Sequence, residues 1–556
     1  MSTDGSAGTE GWTLLEENQR FSKSVLWTIQ KAYYDRQGPA AWHSGETPHY
    51  ATCNTYIAQC YADVTMAYLR ELDRRGELDA QEPVYIVELA AGVGAFAYYF
   101  LHKLGELKRE SSLRDLDVRY VMTDFTQTNL KVWSRHPHLQ QFVEQGALGF
   151  GTFDVDVHDR IELLNGATLT PGSCKNPILV FANYAFDTFR MDLFRVQGGR
   201  VDEVQVSTRA PGSGPVDFSQ PQLAGKLRTQ YSYRPIDERS YYDTPAYNHL
   251  LATYRKVFAD STFAVPIASL RALDRLFALA GGRGMLLSSD KGFTQLDELY
   301  QSNPDAIQVH GGFSMMVNYH AIGECTTHEG GVYASTTRFM NVKTAMCIRG
   351  GGRDAFPDTL SMFRRRIEEF GPGEFFDFFQ KERELEKTIP QFLGLLRMSG
   401  HDPGVLFTHA TQVRTKCKGL PEHINVELRL ALDRTWRQWY ASPQNLPFEL
   451  GRIMLALGRP LEGARFNQIA IEFYGEVPAA FLNMGICYYY GEDPNQALRC
   501  FEHAKALNPD FREPREWIAR IHAERERRSA SIPLPPLPPP PGRAEPAPAS
   551  SPDVSG

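Results

Sequence analysis

Between residues 14 and 34 apolar side chains recur at helical spacing. Phe21, Val25, Leu26 and Ile29 fall on one face, predicting a helix over Leu14–Tyr34 that Gly38-Pro39 ends. A loop dense in aromatic and hydrogen-bonding groups follows, Trp42 to Thr55, and leads into a second helix, Ile57–Leu72. The pattern then changes. Val84–Leu89 is an unbroken apolar, β-branched run bounded by Pro83 and a small-residue turn, the signature of a strand buried on both faces of a parallel sheet. Asp117–Thr123, Gly149–Val155 and Ile178–Ala182 read as further strands, with helices over Ala95–Leu104 and Thr126–Trp133 between them. From Leu360 onward the chain is helical, with amphipathic runs at 391–398 and 427–440.

The chain is organised around Val84–Leu101. Ala90 to Gly94 makes a tight turn between strand and helix, where glycines let backbone approach a ligand and unpaired N–H groups point outward. Glu88 sits at the strand's carboxyl end, where open α/β sheets bind ligands. Gly92-Val-Gly94-Ala-Phe-Ala97 satisfies a dinucleotide fingerprint, so NAD or FAD is one reading and a turn without ligand another. A pyrophosphate disfavours a carboxylate four residues before Gly92, whereas a ligand with a cationic amino-acid end welcomes it. Asp124 ends the second strand, placed to bind ribose hydroxyls or to cap the next helix. Phe153 and Asp154 stand where an adenine ring would be stacked and its amino group bound, with Asp156 and Asp159 as competitors. Ala90, Phe96 and Phe125 complete this cofactor set. Tyr50, Thr52 and Asn54, beside His49, form either a wall over the cofactor or a capped turn with Asn54 as N-cap. Asn183 and Asp187, at the end of the fourth strand, are the catalytic candidates, holding a nucleophilic nitrogen or accepting its proton; the alternative is that Asp187 and Thr188 cap a helix.

The Glu88-x-x-x-Gly92-x-Gly94 motif resembles motif I of Rossmann-like S-adenosylmethionine (SAM)-dependent methyltransferases. Together with the loop around His49–Asn54, Asp124 and Asn183-x-x-Phe-Asp187, it follows the order seen in the MidA-like methyltransferases, a family that includes a mitochondrial complex I assembly factor methylating an arginine. Gly284–Gly292 and Gly312–Ala321 are similar to later segments of that family, so the resemblance spans roughly residues 20 to 350. The chain departs from the pattern at Ala90, where the family has its first glycine, at Tyr184, where it has Glu, and at Lys291, where it has Tyr. The resemblance implies a Rossmann-like α/β methyltransferase domain, SAM as cofactor and a nitrogen nucleophile as methyl acceptor, arginine among the choices.

Near the C-terminus, Phe481, Met484-Gly485, Tyr488, Ala497, Phe501, Ala504 and Pro509 fall at the spacing of a 34-residue tetratricopeptide unit, and Leu450-Gly451 and Ala470 match one unit earlier. The expected organisation is a disordered start (1–11), the methyltransferase domain (12–352) with an inserted cap near 190–250, a helical connector (353–440), an all-α repeat module (441–528) and a disordered proline-rich tail (529–556). Tyr231, Tyr233, Tyr241 and Tyr242 in the cap are either site wall or packing. A protein or peptide acceptor held in the repeat groove is the expected partner. The rivals are a degenerate scaffold that only binds, and an enzyme acting on a small natural product.

Composition narrows this further. At 556 residues, 42% hydrophobic and 22% charged, the chain is ordinary globular material, and a net charge of −7 excludes nucleic-acid binding through bulk positive charge. No long apolar span is present, so a cytoplasmic protein that engages no membrane is expected. The eight cysteines form no C-x-x-C pair, and neither a metal site nor a disulfide framework is expected.

Overall fold

The computed structural model describes residues 11–37, 50–220, 223–300, 308–309 and 313–530, and divides into two compact units, Met1–Leu446 and Pro447–Gly556. Positions expected to lie in the loop Trp42–His49 and in the proline-rich tail beyond 530 fall outside the described residues.

The first unit is built on a nine-stranded sheet. Five strands run parallel: β1 (Val84–Leu89), β2 (Val118–Asp124), β3 (Leu148–Thr152), β4 (Ile178–Asn183) and β5 (Gly284–Asp290). With β6 (Val332–Ser335) and β7 (Lys343–Arg349) the spatial order is β6-β7-β5-β4-β1-β2-β3, and a hairpin, Ile161–Leu163 and Thr168–Leu169, extends the β3 edge. Only β7 in this run is reversed, antiparallel to both β5 and β6. The chain goes outward from β1 through β2 to β3, then returns to start again at β4. The carboxyl ends of β1 and β4 therefore flank the switch point, where such sheets leave a crevice.

Why β1 lies in the middle follows from its side chains. Ile86 and Glu88 project to one face with Tyr120 and Phe181, against Tyr61, Phe96 and Phe100 from the helices Thr55–Arg74 and Ala95–Arg109. Val87 and Leu89 project to the other, into a core shared with Val180, Leu270, Leu273 and Tyr254. A strand apolar on both faces is stable only with helices on both sides.

The start of the chain differs from expectation. Trp12–Arg20 is a strand, Phe21–Lys23 a 3-10 turn, and the helix covers only Val25–Gln37. The strand joins a second, antiparallel sheet by pairing with Arg200–Pro211, beside Asp192–Gln197, Asp260–Val265 and Arg228–Pro235. Glu16 fixes it there, its carboxylate accepting from the Val25 N–H (2.7 Å) and the Thr208 hydroxyl (2.7 Å). Long-range pairing has overridden a helical pattern.

Residues 353–440, expected to form a connector, belong to the first unit. Glu71 caps the helix Pro357–Phe363 through the N–H groups of Asp358 (2.6 Å) and Thr359 (2.9 Å). Asp402 accepts from Tyr50, Thr55, Gly404 and Val405, tying the helix Pro403–Lys416 to the start of Thr55–Arg74.

The second unit contains the helices Pro460–Tyr474, Pro478–Tyr490, Pro494–Leu507 and Arg512–Ala530. A Cβ on Gly485 would lie 2.5 Å from the Phe501 ring, and one on Gly451 would lie 2.4 Å from the Asn467 amide. Each residue of the second pair stands 34 positions before its counterpart in the first. The close helix crossing thus recurs at that period.

Candidate functional site

The turn after β1 is held in the left-handed region three times over, at Ala90 (φ 51°), Gly92 (φ 55°) and Gly94 (φ 84°). Ala90 takes, with a side chain, a conformation that glycine takes freely, and so carries strain. The turn is pinned from outside. Trp133 donates its indole N–H to the Gly92 carbonyl (2.9 Å), and the Tyr440 hydroxyl donates to the Val93 carbonyl (2.7 Å) while its ring stacks on His136 at 4.3 Å. A Cβ on Gly94 would meet Met122 Cε at 2.8 Å and Tyr440 Oη at 3.1 Å. Protein atoms, rather than an open ligand space, crowd Gly94. Phe96 is buried against Tyr61 and Phe181 and lines no opening of the cleft described next.

Beside the turn lies a cleft at the carboxyl ends of β1, β2 and β3. Five expected cofactor residues line it: Ala90, Asp124, Phe125, Phe153 and Asp154. Asp124 accepts from the Thr126 N–H (2.8 Å) on one oxygen and from the Asn129 amide (2.9 Å) on the other. Thr126 itself caps the following helix, so each Asp124 oxygen retains capacity for a ligand hydroxyl. The far wall was not foreseen as such. Trp27, Gln30, Lys31 and Tyr34 come from one face of the helix Val25–Gln37, and Lys31 pairs with Asp154 and lies 5.0 Å over the Phe125 ring. Their i, i+3, i+4, i+7 spacing was the available signal. Thr188, Phe189 and Arg190 close the β4 side.

Of the cap tyrosines, Tyr241 and Tyr242 take the packing alternative, while Tyr233 is exposed. Tyr241 and Tyr242 lie 4.8 and 5.3 Å from the Arg20 guanidinium, which is paired with buried Asp192, and Tyr242 also donates to Asp192 at 2.8 Å. Tyr50, Thr52 and Asn54 do not line the cleft. Tyr50 donates to Asp402 (2.8 Å), Thr52 is buried, and Asn54 is the N-cap, accepting from the Ile57 N–H at 3.0 Å.

Deeper at the switch point, three buried polar atoms lack a hydrogen-bond partner: Glu88 Oε2, Asn183 Nδ2 and Asp187 Oδ1. Burial pushes the Glu88 carboxyl up to about 8, partly offset by the Tyr120 hydroxyl on the same face. Glu88 pairs in register with Phe181, so it and Asn183 project to the same side, one dipeptide apart on neighbouring strands. Asn183 Oδ1 accepts from the Tyr61 hydroxyl (2.8 Å) and the Ser289 N–H (3.2 Å), which turns the amide nitrogen outward as a donor. Asn183 can therefore hold an acceptor but cannot take a proton; of the two catalytic candidates, Asp187 alone can. Asp187 is buried, and its N–H donates to Asp290 Oδ2 at 3.1 Å. Asp290 was missed from the sequence as a site residue. Among the described residues there is no cluster fit to hold a metal ion, and no helix is long and apolar enough to cross a membrane.

No known family model matches the chain, and no curated protein matches it in sequence. Solved structures do. A COG1565 superfamily protein from Burkholderia thailandensis bound to S-adenosyl-homocysteine aligns at 16% identity and a TM-score of 0.38, covering 63% of this chain and 91% of that one. A second COG1565 superfamily protein from the same organism aligns at 15% identity and a TM-score of 0.35, with the same coverage. An O-methyltransferase family protein, also from Burkholderia thailandensis, aligns at 10% identity and 0.27, covering 60% of this chain and 65% of that one.

Proposed function

We propose that the first unit is a SAM-dependent methyltransferase that methylates a nitrogen of a protein or peptide, an arginine guanidinium being one such acceptor, and that the second unit recruits the substrate. The observation that carries this reading is the set of unpartnered atoms at the ends of β1 and β4, next to a cleft whose aromatic and acidic lining suits adenosine. Glu88 Oε2 is an acceptor for an ammonium, and Asn183 Nδ2 on the same face is a donor for a carboxylate. Together they match the amino-acid end of SAM. Phe125 and Phe153 offer aromatic surface for the adenine, and Asp124 offers oxygens to the ribose. The reversed β7 between β5 and β6 departs from the parallel dinucleotide-binding order.

Bound SAM supplies a methyl group on a positively charged sulfur. The protein's part is to fix that group and the acceptor in line and to exclude water, so proximity and orientation provide most of the rate. The helix Val25–Gln37 walls the adenosine cleft, and Asp187 Oδ1 stands ready for the acceptor's N–H. The 34-residue recurrence in the second unit supports tetratricopeptide-like stacking, which makes a groove suited to a peptide. Mass spectrometry of the purified protein for bound SAM or S-adenosylhomocysteine, with calorimetry of both and of NAD, tests the reading. Micromolar or tighter SAM binding is expected; tight NAD binding without SAM binding would overturn it.

A further inference from the structure

Asp187 and Asp290 meet at the carboxyl ends of adjacent parallel strands, β4 and β5. They are 3% and 0% exposed. Asp290 accepts from two backbone N–H groups, that of Asp187 (3.1 Å) on Oδ2 and that of Lys291 (2.8 Å) on Oδ1. Asp187 Oδ1 has no partner. The charged group facing both acids is the Lys291 ammonium, 5.5 Å over the Tyr184 ring; the other titratable groups that face the pair are the hydroxyls of Tyr61, Tyr184 and Tyr319. Two buried carboxylates against one ammonium would leave an uncompensated negative charge shielded from solvent, which is costly. One proton on the pair leaves the cluster neutral. Burial pushes Asp187 up to about 7, with Lys291 holding it back, and burial together with the Asp187 charge pushes Asp290 well above the carboxylate range. The backbone following β4 is strained too, Tyr184 taking φ 48°.

We propose that Asp187 and Asp290 hold one proton between them, and that Asp187 Oδ1 takes the proton the methyl acceptor loses, with Asp290 as the positioning partner that sets its basicity. This rests on the methyltransferase reading. The step is a proton transfer: the acceptor's N–H bond breaks, an O–H bond forms at Asp187 Oδ1, and the nitrogen keeps the electron pair that it shares with the methyl carbon. The carbon–sulfur pair leaves with sulfur, and nothing is oxidised or reduced. Asp290 acts by carrying the shared proton, its acidity weakened by burial and by the Asp187 charge, which leaves Asp187 the ionised member of the pair and a base near neutral pH, where proton transfer is most effective.

Two measurements on the full chain test this, the first needing no acceptor. Infrared difference spectra of wild type against Asp187→Asn and Asp290→Asn, followed across pH, should show one protonated carboxyl at neutral pH that is lost in either variant. Both substitutions are isosteric, and in Asp290→Asn the amide oxygen can still accept the Asp187 N–H. The second uses labelled SAM and heat-treated soluble protein of the source organism as the acceptor pool. Asp187→Asn should lower transfer at least tenfold with SAM affinity within threefold. Asp290→Asn keeps a neutral partner beside Asp187, so transfer at neutral pH should stay within a few-fold of wild type while the alkaline inflection from loss of the pair's last proton disappears. A merely structural Asp290 would change thermal stability and leave that inflection in place. An unmoved inflection, or an unchanged carboxyl band, overturns the proposal while leaving the methyltransferase reading intact. SAM binding without transfer to any protein in the pool overturns the part given to Asp187. Absence of SAM binding removes the methyltransferase reading itself, and the proposal with it.

Discussion

Glu88 offers the sharpest prediction, because its charge state and the role proposed for it as a SAM ligand are linked. Burial holds its carboxyl at about 8 in the free protein. At pH 7 it is about nine-tenths protonated, and ionising it there costs about 1.4 kcal/mol. A SAM ammonium needs the ionised form. Cofactor affinity should therefore rise about tenfold per pH unit between 6 and 8 and level off above, and binding at pH 7 should release close to one proton. Calorimetry in phosphate and Tris, whose ionisation enthalpies differ, reads that proton directly. Glu88→Gln keeps the shape and removes the titration; subtracting its pH profile from that of wild type also removes the titration of SAM itself. The variant should bind SAM at least tenfold more weakly at pH 8 and release no proton attributable to residue 88. Stability should move the opposite way. The folded value lies above the ordinary 4.5, so what this group contributes to stability is complete below pH 4.5 and is lost as pH rises towards 8, about 3 kcal/mol of it by pH 7. Unliganded Glu88→Gln should accordingly melt higher than wild type, by a margin that grows from pH 5 to pH 8. A flat affinity profile in wild type, or a variant binding as tightly as wild type, would refute the pairing of Glu88 with the ammonium.

Four further outcomes follow from other parts of the molecule. Ala90→Gly should raise stability by up to about 1 kcal/mol in thermal denaturation, since it frees a side chain from the left-handed region. Tyr440→Phe should lower the first unit's stability by about 1 kcal/mol, leaving the Val93 carbonyl unpaired while the ring stays stacked on His136. Gly485→Val should cost the second unit roughly 1–3 kcal/mol, seen as a lower melting transition of that unit alone, because its Cβ would lie 2.5 Å from Phe501. Deleting Pro447–Gly556 should leave SAM affinity within twofold and raise KM for a protein acceptor with little change in kcat; an unchanged KM would remove the recruiting role.

What could be read from the chain is what is local to it. A strand, a glycine turn and an acid at the strand's end lie within a dozen residues, and so do Phe153 and Asp154; each was legible because periodicity and position carry the whole signal. The first strand was not, because nothing within Trp12–Arg20 announces a partner at Arg200–Pro211. Gly94 illustrates a subtler limit. Its need for glycine was legible, but the reason was not: Tyr440 and Met122 fill the space that a ligand seemed to require. Tyr440 reaches the turn across 347 residues of sequence, and Asp187 reaches Asp290 across 103. Contacts of that range leave no trace in spacing.

The two departures from the methyltransferase pattern near β4 and β5 gain meaning only in three dimensions. Read singly, Tyr184 is a lost acid and Lys291 a lost aromatic, each a mark against activity. In the fold they touch, the Lys291 ammonium lying over the Tyr184 ring. Where the resembled pattern has an acid and a tyrosine, this chain has a tyrosine and a lysine, so an aromatic group is present in both while the local charge here is higher by two. The added positive charge also balances the Asp187–Asp290 pair once that pair holds a single proton. The two positions are better understood as one coupled arrangement of charge beside Asp187 and Asp290 than as two separate losses.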